Sequence, residues 1–251
     1  MTNITLALSG GAARGAYHLG VLEYIDKKKI YIEAICATSI GSIIAASYLS
    51  GVTPREQLEI IKSKEFRSLF SFNYFRKSLF KIDLKHKLLD KLVKSKNIED
   101  LKIPLYITAV DMKSGKNHYF DEGDIKTICQ ASSALIPLFP AVDYLEYKLI
   151  DGGTKNHMPI QPLKQYFCPM VGVNLHPIFQ KNTNETIVGN IKRALLISMY
   201  GNSLENESAC DVYITSDKLP KYSLFSFKHF DELFELGYAD AKRELTKNLK
   251  R

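Results

Sequence analysis

The chain has 251 residues, 45% hydrophobic and 24% charged, with a net charge of +7. These are ordinary globular proportions, and they exclude a disordered, collagen-like or coiled-coil chain. No apolar run approaches the roughly 18 residues of a spanning helix, and the start Met1-Thr2-Asn3, lacking a basic flank, does not read as a signal peptide.

In chain order, an apolar run at 4–8 predicts a strand. It leads through a glycine-rich loop into a predicted helix at 16–28. A second strand at 32–37 leads into a helix at 41–50. Thr53-Pro54 then reads as an N-cap and first helical residue, with Glu56 in the first turn of a helix over 54–62. Further helices are predicted at 85–93, 124–133, 187–203 and 229–247, and further strands at 103–110, 147–150, 170–175 and 211–215. Several strands are continuous apolar runs, such as Val171-Gly172-Val173-Asn174-Leu175, as expected where both sheet faces are covered. Alternating strands and helices mean an α/β fold with a largely parallel sheet. With no repeat or linker, the chain reads as one domain over 1–251. The cysteines Cys36, Cys129, Cys168 and Cys210 form no C-x-x-C pair, so they read as reduced, packed thiols of a cytoplasmic protein. Neither a disulfide frame nor a metal site is expected.

Between Lys62 and Lys96 there are eleven Lys and Arg against three acidic residues, a local excess of +8. The rest of the chain is near neutral. Phe66, Phe70, Phe72, Tyr74, Phe75 and Phe80 lie in the same stretch. It reads either as a helical insertion with a solvated face, or as a lid that docks on anionic lipid. Nucleic acid is the poorer partner, because no recognised binding fold accompanies the charge.

Three glycine-rich breaks follow predicted strands, where open parallel sheets place their ligands. The first, Ser9-Gly10-Gly11-Ala12-Ala13-Arg14-Gly15, can aim successive N–H groups at an anion. As a dinucleotide fingerprint it fails at Ala12, its second glycine. The second, Ala37-Thr38-Ser39-Ile40-Gly41, places a serine between small residues at a strand-to-helix turn. Ser39 there is a nucleophile or an N-cap. The third, Asp151-Gly152-Gly153, is a plain turn or a carboxylate left room to meet another side chain. A serine hydroxyl needs such a base to become nucleophilic, and Asp151 serves directly or by orienting a histidine.

As an ordered set, the three breaks resemble those of the patatin-like phospholipase family. The resemblance extends to Ala16-Tyr17-His18-Leu19-Gly20-Val21-Leu22, to Ala131-Ser132-Ser133-Ala134 with Pro137 and Phe139-Pro140, and to Glu235-Leu236-Gly237-Tyr238. Ala12 and Ala37 stand where the family has glycine. The resemblance implies a three-layer α/β/α sandwich with a mostly parallel central sheet. It implies a lipid acyl hydrolase with Ser39 as nucleophile, Asp151 as base and an acyl-serine intermediate, without cofactor or metal. Backbone N–H groups of Gly10, Gly11 and Ala12 hold the oxyanion in this reading, with Arg14 ordering the loop and Ile40 as a further donor. The expected partners are a lipid substrate and an anionic membrane surface met by the segment from Lys62 to Lys96. The expected place is the cytoplasm, peripheral on the inner membrane surface. Two other readings stay open: a nucleotide-binding oxidoreductase built on the Gly10–Gly15 loop, and an idle membrane-binding module. His18, His86, His118, His157, His176 and His229 are candidates for a conventional triad; His18 reads better as packing under the loop.

Overall fold

The computed structural model describes residues 2–68, 70–72, 78, 80–82, 86–177, 186–201 and 204–249. The first half runs β1 (Asn3–Leu8), α1 (Ala16–Lys27), β2 (Tyr31–Thr38), α2 (Ile40–Leu49), α3 (Pro54–Lys62), α4 (Lys64–Ser68), β3 (Phe70–Phe72), β4 (Phe80–Ile82), α5 (Lys87–Leu92), β5 (Leu105–Asp111) and β6 (Asn117–Phe120). The second half runs α6 (Ile125–Ser132), β7 (Val142–Tyr144), β8 (Tyr147–Asp151), β9 (Met170–Val173), α7 (Ile187–Gly201), α8 (Leu204–Ser208), β10 (Val212–Ile214) and α9 (Phe230–Asn248). Every strand and helix predicted from the sequence has a counterpart whose ends agree within two residues. The short strands β3, β4, β6 and β7 were not foreseen.

Five strands are parallel in the order β10-β9-β1-β2-β5, with β1 between β2 and β9. The apolar runs of these strands cover one face with Ile4, Leu6, Leu8, Ile35, Val171 and Val173, packed under α1, α2, α6 and α9. The other face carries smaller residues, Ala7, Ala34 and Cys36, under Met158, Ile160 and Leu163 of a thinner layer. Two glycines bring α1 and α9 into backbone contact. A Cβ on Gly20 would lie 1.9 Å from the Phe234 carbonyl oxygen, and one on Gly237 2.1 Å from that of Tyr17. The Tyr17 hydroxyl closes the crossing by donating to Asp240 at 2.9 Å. In α3, Thr53 and Glu56 form a reciprocal capping box with Pro54 at the first position.

The mixed edge of the sheet departs from the sequence expectation. β8 runs antiparallel to β5, and so does β6. Along β5, β2 pairs residues 105–108, β6 pairs 107–110 and β8 pairs 109–111. Because β6 overlaps both of the others, it holds one edge of β5 while β2 and β8 share the opposite edge. These two strands therefore run toward each other and stop end to end, Thr38 opposite Thr108 and Asp151 opposite Ala109.

In the stretch from Lys62 to Lys96, residues 69, 73–77, 79 and 83–85 lie outside the described residues, and β3 and β4 are described by their antiparallel pairing alone. Most of the aromatics counted there fall in this part. Among the described residues no helix is long and apolar enough to cross a membrane.

Candidate active site

The end-to-end meeting of β2 and β8 places the residue after Thr38 against Asp151. Ser39 has φ 52° and ψ −126°, a left-handed backbone that a non-glycine residue adopts at a cost of about 1–3 kcal/mol. Its side chain does not cap α2. It lies instead beside the Asp151 carboxyl, close enough to lower the pKa of that group. The N-cap reading of Ser39 is thereby replaced, and Ser42 donates to the Ser39 carbonyl at 2.6 Å. The strained turn is held from α6, where the Ser132 hydroxyl accepts the Ser39 N–H at 2.8 Å and donates to the Thr108 carbonyl at 2.7 Å. Glycines give the turn its room: a Cβ on Gly41 would meet the Leu8 carbonyl oxygen at 2.7 Å, and one on Gly152 that of Thr108 at 2.4 Å.

Asp151 is 4% exposed. Burial raises its pKa from 3.8 to about 6, while the Gly153 N–H and the Ser39 hydroxyl pull it back down. The Gly153 N–H donates to Oδ1 at 2.7 Å, and the Asp151 N–H donates to the Ala134 carbonyl at 3.1 Å. The carboxylate is thus fixed by its own turn and raised into the range of a working base.

The glycine-rich loop lies beside the serine. A Cβ on Gly10 would sit 3.3 Å from Ser39 Cβ and 3.3 Å from the His157 ring. The Gly10 N–H donates to the His157 carbonyl at 3.2 Å, which directs it away from the serine, contrary to the donor role expected for it. The Ala13 N–H likewise donates to the Leu224 carbonyl at 2.9 Å. Among the described residues, the amides of Gly11, Ala12 and Ile40 donate to no other group. Ala12 has φ 49°, so alanine occupies a left-handed position that favours glycine.

Arg14 is buried, and its guanidinium is turned away from the serine. Nε donates to the Tyr222 carbonyl at 3.0 Å, and Nη1 donates to the Leu175 carbonyl at 3.0 Å and to His176 Nδ1 at 2.9 Å. It ties the loop to two neighbouring segments. The His18 Nε2–H donates to the Ser9 carbonyl at 2.9 Å, and the ring packs under the loop as expected. His157 stands edge to face with His176 at 5.2 Å. Burial lowers His18 to about 4 against the raising effect of its bond to Ser9, while burial first and then nearby positive charge lower His157 to about 3 and put His176 well below the usual imidazole range. All three are neutral near pH 7. His86 and His229 lie away from the site: His86 begins α5, and His229 pairs with Glu232 at 2.9 Å. His118 stacks on Tyr147 at 4.5 Å.

Ser132 and the His157 carbonyl are the structural partners that sequence reasoning did not assign. Ser132 belongs to the Ala131-Ser132-Ser133-Ala134 string, whose two serines at a helix end are the available signal. The carbonyl of His157 leaves no mark in a sequence. Among the described residues, no group of three His, Cys, Asp or Glu is placed to hold a metal ion.

Comparison with known proteins agrees with this geometry. The family model described as patatin-like phospholipase matches residues 6–164. The chain is similar to human patatin-like phospholipase domain-containing protein 6, 28% identical over 62% of this chain and 12% of that protein. It is also similar to lysophospholipase NTE1 of Lodderomyces elongisporus, 24% identical over 94% of this chain. The chain spans 12% and 19% of the lengths of these two relatives. Among solved structures, VipD from Legionella pneumophila superposes with a TM-score of 0.62 at 12% identity, over 98% of this chain and 67% of that one, a likeness of fold.

Proposed function

Since the chain belongs to the patatin-like phospholipase family, we propose that it hydrolyses carboxylic esters of lipids through Ser39 and Asp151. The observation that carries this reading is the left-handed Ser39 elbow set beside a buried carboxylate of raised pKa. The Ser39 oxygen attacks the acyl carbonyl carbon as its proton passes to Asp151. The N–H groups of Gly11, Ala12 and Ile40 take the negative charge that develops on the carbonyl oxygen. The tetrahedral adduct collapses, and the leaving alcohol carries off the proton from Asp151. A water molecule, deprotonated by Asp151, then attacks the acyl-serine, and Asp151 returns that proton to the departing Ser39 oxygen as the fatty acid is released. Arg14 acts on this chemistry only by holding the loop.

A conventional triad is not needed in this scheme. His157, whose ring lies beside Gly10 and Gly153, is held neutral by burial first and then by nearby positive charge, and the scheme assigns it no proton. The oxidoreductase reading of the Gly10–Gly15 loop has no counterpart in the matched family. A cytoplasmic enzyme of one domain, with the segment from Lys62 to Lys96 as a lid over its lipid, completes the proposal.

Labelling with a fluorophosphonate probe tests it. The expected result is one labelled serine, Ser39, with both labelling and ester hydrolysis lost in Ser39→Ala. Intact protein that neither labels nor hydrolyses any short-chain ester would leave the idle binding module as the correct reading.

A further inference from the structure

Three segments emerge around the catalytic residues, each tied to a different part of the site. Residues 133–140 follow α6, and their Ala134 carbonyl accepts the Asp151 N–H at 3.1 Å. Helix α7 packs on the turn after Asp151, where Met199 Cε lies 3.4 Å from the Cβ position of Gly153. Residues 221–228 hold the oxyanion loop, with the Leu224 carbonyl accepting the Ala13 N–H at 2.9 Å and that of Tyr222 accepting Arg14 Nε at 3.0 Å.

All three present apolar side chains to solvent. Ile136 is 39% exposed, Phe225 51%, and Ile187, Ile191 and Ile197 of α7 are 79%, 64% and 47% exposed. Ile187 and Ile191 stand one helical turn apart on the outward side, while Met199 is buried against the catalytic turn. Large apolar side chains exposed on several segments around one site mark a contact surface. The charge pattern states the kind of contact: the three segments contain Lys192, Arg193, Lys221 and Lys228 and no Asp or Glu. Apolar residues interleaved with cations, without anions, match an interface whose depth is hydrocarbon and whose surface is negative.

We propose that these segments form a collar that seats the mouth of the active site on an anionic phospholipid bilayer, with the exposed isoleucines of α7 entering the acyl boundary. The proposal rests on the lipid-hydrolase reading above and adds a docking surface to it, made of other residues than the stretch between Lys62 and Lys96, which it meets where Phe66 packs on Phe227. Seating on the collar brings an ester to Ser39 without its leaving the bilayer for water.

The chain contains no tryptophan, so one introduced indole reports its own surroundings. Ile191→Trp and Ile187→Trp are each built in a Ser39→Ala background, which keeps lipid intact during the measurement. Phe167→Trp is the comparison: Phe167 is fully exposed and precedes β9, at the end of the sheet away from Ser39. With phosphatidylglycerol vesicles, the two α7 variants shift their emission to the blue and are quenched by brominated acyl chains, whereas Phe167→Trp is not. Pure phosphatidylcholine vesicles bind about tenfold more weakly. Unshifted emission from both α7 variants, or an equal shift from Phe167→Trp, overturns the collar. Hydrolysis of a soluble short ester by the parent chain is read separately. Its absence removes the proposed function, and a missing spectral shift alone removes only the docking surface.

Discussion

The hydroxyl of Ser132 accepts the backbone N–H of Ser39 at 2.8 Å, so a helix end on α6 holds the left-handed turn that exposes the nucleophile. The same hydroxyl donates to the Thr108 carbonyl, next to the point where β2 and β8 meet. Ser132→Ala leaves two buried backbone groups short of a partner, at a cost of about 1–3 kcal/mol. If half of that appears at the elbow, kcat falls roughly two- to tenfold with KM little changed. Ser132→Thr, which keeps the hydroxyl, recovers part of the loss. An alanine variant that loses stability alone, with parental kcat, would reduce Ser132 to a packing residue.

In the proposed mechanism Ser39 and Asp151 act as one proton-transfer unit, so their substitutions are not additive. Ser39→Ala and Asp151→Asn each abolish ester hydrolysis while the fold is retained, and the double variant is no worse than either. Steady-state kinetics with a soluble ester checks this. Activity that survives in Asp151→Asn but disappears in His157→Ala would restore a histidine triad.

The alternation of apolar runs and amphipathic stretches made the parallel half of the sheet legible, and the small residues around Ser39 and Asp151 made the three breaks legible. The route by which they converge was not. Nothing in Tyr147-Lys148-Leu149-Ile150 separates an antiparallel strand from a parallel one, since direction is set by the pairing partner. The Gly10 amide was expected at the oxyanion, but the His157 carbonyl takes it, a contact across 147 positions that spacing does not encode. Ala12 stands where the family has glycine, and the structure gives the reason this matters: its φ of 49°.

That angle makes a prediction about the loop. Alanine in a left-handed conformation costs about 1–2 kcal/mol relative to glycine. Ala12→Gly therefore keeps full activity and stabilises the protein by up to about 1 kcal/mol, after the added freedom of glycine in the unfolded chain is set against the relief. A rise in thermal midpoint of a few degrees is expected. A lower midpoint would mean that the chain is not strained at Ala12.

Gly11 fails for a different reason. Its φ is 164°, extended backbone that any residue adopts, so conformation does not exclude a side chain. Space does: a Cβ there would lie 2.4 Å from Leu175 Cδ1 and 2.8 Å from Leu175 Cβ. Gly11→Val must push the loop off Leu175 and move two amides proposed to face the oxyanion. Loss of one such donor costs ~10²–10³ in rate, and a fall of that size in kcat is expected. Turnover of a short ester at the parental rate would make the loop a structural turn only.

The raised pKa of Asp151 fixes both the activity profile and one part of the stability profile. As a base, Asp151 works only when ionised, so kcat/KM falls about tenfold per pH unit below its folded value of about 6 and is level above it. For stability the sign is the reverse of the usual carboxylate. The folded pKa lies above the ordinary 3.8, so folding favours the protonated acid. The contribution is fully present below about pH 4 and is lost as pH rises through about 6. At 1.36 kcal/mol per unit, the loss by pH 7 is on the order of 3 kcal/mol. Asp151→Asn does not ionise, so its thermal midpoint gains on that of the parent as the buffer is taken from pH 4 to pH 7, while its activity is absent throughout. Ser39→Ala removes a side chain that holds the pKa down, and the parent-against-asparagine difference measured in that background extends to higher pH. A difference in midpoint that stays constant from pH 4 to pH 7 would show that Asp151 titrates normally, and the assignment of Asp151 as a base tuned by burial would fall with it.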